Sequence, residues 1–94
     1  MRVISNRRLV EFSSLHPDAA APLQAWRKII ERSEFRSFAG IRACFNSVDV
    51  VGDHHVFNIK GNNVRLVCAI GFASQVCYVK HVLTHAEYDR GKWK

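Results

Sequence analysis

Cysteine, proline and glycine are all scarce in these 94 residues: three, two and five respectively. Cys44, Cys68 and Cys77 are odd in number, widely spaced and set in apolar sequence. That excludes the paired framework of a small disulfide-rich domain and the close C-x2-C pairs of a zinc site. It reads instead as reduced thiols in the core of a cytoplasmic protein. Little glycine and proline beside 48% hydrophobic residues excludes a disordered chain. No apolar run is long enough to span a bilayer, and the amino terminus, with one arginine and a brief apolar run, does not read as a signal peptide. Carboxylates form no cluster, so neither a metal ion nor another cofactor is expected. His54 and His55 are adjacent, and on a strand their rings would point to opposite faces rather than to one ion.

What is present is a basic chain of a size that forms one small domain, residues 1–94, with a core just sufficient to fold without staples. The formal charge is +6, which favours an anionic partner. From Lys60 onward six basic residues face two acidic ones, whereas residues 1–59 carry eight basic and six acidic. The excess cation density therefore lies in the last third of the chain.

The first half has helical periodicity. Met1 to Ile4 is a short apolar start, read as an edge strand. Ser5 or Asn6 can cap a helix to about Leu15 with Leu9, Phe12 and His16 near one face. Pro17 disfavours helix in the residue before it and breaks this segment. A second helix is expected from about Asp18 to Ser33, with Pro22 near its first turn, Leu23, Trp26, Ile29 and Ile30 on its apolar face, and Arg27, Lys28, Glu31 and Arg32 opposite. Ser37 can cap a short third helix, Phe38 to Phe45, with Ile41, Cys44 and Phe45 on one side.

The period then changes to two. His55, Phe57 and Ile59 share one face of a strand, and Gly61-Asn62-Asn63 supplies residues suited to a hairpin turn. Strands from Val64 to Phe72 and from Val76 to Leu83 follow. On the middle strand Val64, Leu66, Cys68, Ile70 and Phe72 make a continuous apolar face, while Arg65, Val67, Ala69 and Gly71 line the other, leaving room there for a ligand. The pattern predicts an α+β domain, with N-terminal helices packed on one face of an antiparallel sheet.

The polar residues of this region suit metal-free chemistry on RNA, which needs a base for the 2′-hydroxyl, an acid for the leaving 5′-oxygen, and cations around the phosphate. Arg65 can grip a phosphate with both arms of its guanidinium; the bland alternative is a solvated arginine after a turn. Lys60, at the start of the hairpin, is equally consistent with a solvating lysine. Lys80 shares parity with Val76, Tyr78 and Val82, so it either snorkels or faces a groove. His81 shares parity with Cys77, Val79 and Leu83 and reads as a core histidine. In the tail, His85 is of a residue type suited to proton transfer, and Tyr88, with Lys and Arg close by, can serve as a base or a stacking platform. Thr84 and Glu87 also have the spacing of a capping box, so the tail can simply be a capped terminal helix.

Residues 56–62, Arg65-Leu66-Val67 and Thr84-His85-Ala86-Glu87-Tyr88-Asp89 resemble the HigB toxins, RelE-like messenger endonucleases, as does His16-Pro17-Asp18-Ala19 followed by Leu23 and Ala25-Trp26. The resemblance runs through nearly the whole chain. It implies a RelE-like fold and the toxin of a type II toxin–antitoxin pair, one that cleaves mRNA in the ribosomal A site. It also implies a helix-turn-helix, HigA-like antitoxin that silences the toxin and alone carries operator DNA contact. On this likeness Lys60, Arg65, Lys80, His85 and Tyr88 correspond to catalytic positions, with Arg90 and Lys92 as further RNA contacts beside Lys60, Arg65 and Lys80. Two departures stand out: Lys80 occupies a place where arginine is expected in many relatives, and the chain ends at Lys94, shortly after Tyr88. A binding module that holds RNA or ribosome without cutting is the alternative reading of the same basic face.

Overall fold

The structure, a computed structural model, describes residues 1–59 and 63–94. In chain order its elements are β1 (Arg2–Ile4), α1 (Asn6–Leu15), a 3-10 turn (Pro17–Ala19), α2 (Ala20–Arg32), α3 (Phe38–Cys44), β2 (Asp49–Val51), β3 (His54–Ile59), β4 (Val64–Gly71), β5 (Val76–Thr84) and α4 (His85–Asp89). The α+β arrangement read from the sequence is present, and so is the first edge strand.

The helices form where apolar residues recur at helical spacing. In α2, Leu23, Trp26 and Ile30 are buried, while Arg27 and Glu31 pair at 3.3 Å on the solvent side. Ser37 caps α3 as expected, its hydroxyl accepting from Gly40 N at 3.3 Å. Ser5 does not cap α1: it sits in the left-handed region at φ 73° and makes no side-chain cap bond. Cys44 is also a correction. It is exposed at the end of α3, whereas Cys68 and Cys77 are fully buried. Burial pushes the Cys68 thiol well up, as do the hydrogen bond and charge of neighbouring Cys77.

The five strands run in the order β1-β5-β4-β3-β2. Strands β2 to β5 form an antiparallel meander, but β1 lies parallel to β5, with Val3 opposite Cys77, so the sheet is mixed rather than wholly antiparallel. Strand β2, pairing Val50 with His55, was not anticipated from the sequence. The first three helices cover one face. There Leu9, Leu23, Trp26, Ile30 and Ile41 pack on Phe57, Leu66, Cys68 and Val79. Phe57 takes the edges of Trp26 and Phe45 at 5.4 and 5.2 Å between centroids.

The opposite face is not open, as the small residues of β4 had suggested. Trp93 folds back onto Val56 and Val67, and Val51, Leu83 and Tyr88 surround them to form a second apolar cluster. His54 and His55 do point to opposite faces. The His54 ring meets Trp93 edge-on at 5.8 Å, whereas His55 is buried between Phe38 and Phe72. Neither ring nitrogen of His55 has a hydrogen-bond partner among the described residues.

Two outcomes follow from this packing. Trp93→Ala should cost about 3 kcal/mol of stability in urea denaturation, because it empties the second cluster. Leu15→Ala, at a site 79% exposed, should stay within about 0.5 kcal/mol. The second concerns pH. Burial holds His55 below its ordinary 6.5, so the unfolded chain takes up a proton on falling through pH 6.5 while the native state refuses it until lower pH. The stability His55 contributes is therefore complete above pH 6.5 and is lost as pH falls through its lowered value. His55→Phe should reduce the drop in urea midpoint between pH 7.5 and pH 5 without abolishing it, because His81 is shifted in the same direction.

Candidate active site

Pairing across β3, β4 and β5 sets the rows of side chains on the second face. One row is Val56, Val67 and His81; the next is Asn58, Arg65 and Leu83. The β4–β5 register slips between Val67 and Cys68: Val67 pairs with His81, but Cys68 pairs with Val79. This is a β-bulge, with one extra residue on β5. Its effect is visible in the core, where Val79 and Val82, three apart, both pack on the helical side. Lys80 and His81 leave that side together. The parity that placed Lys80 with Val82 and buried His81 in the core is therefore wrong beyond Val79, and the bulge is the reason.

Lys80 is exposed, its Nζ 5.4 Å from the centre of the Tyr78 ring. His81 is half-buried. Burial lowers its pKa from the ordinary 6.5, and the neighbouring Arg8, His54 and Lys80 lower it further. All of these favour the neutral imidazole.

Thr84 turns the chain from β5 into α4 through the anticipated capping box: its hydroxyl accepts from Glu87 N at 3.2 Å, and its own N–H donates to Glu87 Oε1 at 2.8 Å. His85 N donates to Asn63 O at 3.0 Å, which ties the helix to the end of the β3–β4 connection. His85 Nδ1 lies 3.0 Å from Asp89 Oδ2, one helical turn on. Such a contact fixes the ring and leaves Nε2 to exchange a proton.

Tyr88 lies between strand and tail. Its ring stacks on Trp93 at 5.0 Å and 17°, and the Arg65 guanidinium carbon is 5.6 Å from its centre. Trp93 Nε1 donates to Tyr88 O at 3.1 Å, which closes the tail on itself. Arg65 is only 8% exposed. It thus underlies Tyr88 rather than offering a free fork to solvent, and the stack with Trp93 already uses one face of the tyrosine that could have served as a base-stacking platform.

The structure therefore gathers Arg65, Tyr88 and His85 around the β4–β5–α4 junction, with Lys80 at the bulge. Arg90 and Lys92 line a groove of about 280 Å³ with His81, Leu83, Glu87 and Trp93. Lys60 lies outside the described residues. Sequence reading missed Trp93 and misassigned His81. For His81 a signal was available: Val79-Lys80-His81-Val82 puts two polar residues between two apolar ones, which no unbroken alternation allows.

Over residues 19–91 the chain matches the model of the HigB toxin family, described as the RelE-like toxic component of a toxin-antitoxin system. It is similar to the mRNA interferase toxin HigB of Escherichia coli (strain K12), 34% identical over 92 residues that cover 95% of this chain and 88% of that protein. The mRNA interferase HigB of Shigella flexneri is similar to the same extent, 34% over 92 residues with the same coverage. That of Escherichia coli O6:H1 is 29% identical over 93 residues, covering 96% of this chain and 90% of its own.

The two roles of the Tyr88 ring and hydroxyl are separable. Tyr88→Phe should keep the stack and the contact with Arg65 and change stability by less than about 0.5 kcal/mol. Tyr88→Ala should cost about 2 kcal/mol in thermal or urea unfolding, because it removes an aromatic pair and uncovers a buried guanidinium.

Proposed function

The chain belongs to the HigB family of RelE-like toxins, and on that premise we propose that it is an endoribonuclease that cuts translated mRNA in the ribosomal A site. It acts as a single domain over residues 1–94, in the cytoplasm, using its own side chains without a metal or other cofactor. Among the described residues no helix is long and apolar enough to cross a membrane. A ribose 2′-hydroxyl attacks the adjacent phosphorus, the bond to the 5′-oxygen breaks, and the products carry a 2′,3′-cyclic phosphate and a 5′-hydroxyl.

The observation that carries this reading is the contact between Arg65 and Tyr88, which joins strand and tail into one cationic site with a proton-transfer group beside it. Arg65 supplies positive potential from beneath and holds Tyr88 in place. Lys80, exposed at the bulge, meets the developing charge on the phosphate, and Lys60 adds to it. His85, oriented by Asp89, or Tyr88 transfers the proton, while Arg90 and Lys92 hold the RNA backbone along their groove. The antitoxin that silences the toxin is a HigA-like helix-turn-helix protein, and operator DNA is reached only through it.

Primer extension on a message from cells expressing the chain tests the proposal. Discrete cuts within codons are expected, and Lys80→Ala combined with Tyr88→Phe should reduce them about 100-fold, the scale on which single charge-stabilising or proton-transfer groups act. Growth arrest with an intact message would replace the enzyme with a module that only binds RNA or ribosome.

A further inference from the structure

We propose that His81 is the general base of this site, the residue that takes the proton from the attacking 2′-hydroxyl; the proposal rests on the endoribonuclease reading above. The bulge is what brings it there. By pairing Val67 with His81 and Cys68 with Val79, it turns the imidazole off the core side and onto the face that carries Arg65 and Tyr88.

His81 also lies where two grooves meet. One, of about 300 Å³, runs from α1 and is lined by Arg8 and Glu11 on that helix and by His16 just past its end; the other holds Arg90 and Lys92 of the tail. Both include His81, Leu83 and Glu87, so a strand of RNA held by Arg8 at one end and by Arg90 and Lys92 at the other passes over the imidazole.

Of the other candidates, Glu87 Oε1 accepts the Thr84 N–H at 2.8 Å and Tyr88 is packed between Trp93 and Arg65. His85, oriented through Nδ1 by Asp89 with Nε2 left over, suits the part of the acid. No hydrogen bond holds the His81 ring among the described residues. The titratable and charged groups around it are Arg8 and Glu11 from α1, His16 just past that helix, His54 from β3, Lys80 from its own strand, Glu87 from α4, and Arg90 and Lys92 from the tail. Arg8, His54 and Lys80 all favour the neutral ring, the form a base requires. In the step itself the 2′-O–H proton passes to a His81 ring nitrogen as the 2′-oxygen bonds to phosphorus. The P–O5′ bond breaks, and the 5′-oxygen takes a proton from His85 or Tyr88.

The test is single-turnover cleavage of a synthetic message on a ribosome with an empty A site, at a position mapped beforehand for the wild-type protein. His81→Gln and His81→Asn should each cleave about 100-fold or more slowly at unchanged melting temperature, and the acid limb of the wild-type pH–rate profile should disappear. A message with sulfur in place of the bridging 5′-oxygen needs no acid to release its leaving group; on it the His81→Gln defect should persist in full. Wild-type rates in both variants overturn the assignment, as does loss of the defect on the sulfur substrate, which would make His81 the acid. If the wild-type protein itself cuts nothing, the endoribonuclease reading fails first and the His81 base falls with it.

Discussion

Strand β4 is buried on both faces, and the rest of the molecule is arranged to achieve that. Leu66 and Cys68 face the helices at zero exposure, while Val67, pointing the other way, is equally inaccessible. The first three of the helices all cover one face. Cover for the other comes from the tail, in which a five-residue helix and Trp93 fold back over Val56 and Val67. Burial of this kind is favourable at roughly 25 cal/mol per Å² of apolar surface. It explains why an otherwise basic, polar tail carries one tryptophan between Lys92 and Lys94.

That arrangement also determines where chemistry can occur. A sheet face wholly covered by apolar residues has no site, and one left open has no walls. Here the tail leaves a seam along β5, and the polar groups collect there: His81 and Lys80 at the bulge, His85 on the helix that follows, Arg90 and Lys92 beyond it. Arg65 is the exception. It lies under the tail rather than beside it, and the aromatic face of Tyr88 accommodates its charge in a poorly solvated place.

The sequence made legible what local pattern controls. Helix α2 and its buried face, the Ser37 cap, the Thr84–Glu87 box and strands β3 to β5 all follow from spacing between near neighbours. It was silent on what distant pairing controls. The parallel docking of β1 on β5 joins residues more than seventy positions apart, and no property of Arg2–Ile4 encodes its partner. Cys44 was expected inside because it follows Ile41 by about one turn, yet it is exposed at the end of α3 while the next residue, Phe45, packs on Phe57. The bulge did most damage to the site reading, because an extra residue inverts the facing of every side chain after it. It moved His81 from the core to the candidate site while leaving the identity of β5 correct. Arg65, Lys80, His85 and Tyr88 were picked out by type and position; that Arg65 meets the Tyr88 ring was a matter of the fold.

The electrostatics around His81 link substrate binding to proton transfer. In the free protein, burial first and then the neighbouring Arg8, His54 and Lys80 favour the neutral imidazole. Arg8 and Lys80 also draw in a polyanion, and a phosphate seated by them cancels part of their field. An anion close to an imidazole favours its protonated form, so the ring becomes more basic once RNA is bound. A base is most effective when it is unprotonated beforehand and strongly basic at the moment of transfer, two demands that a fixed environment cannot meet together. Cations neutralised in part by the substrate they bind meet them in sequence. Of the surplus positive charge in the last third of the chain, Lys80 thus takes a part in the reaction as well as in binding.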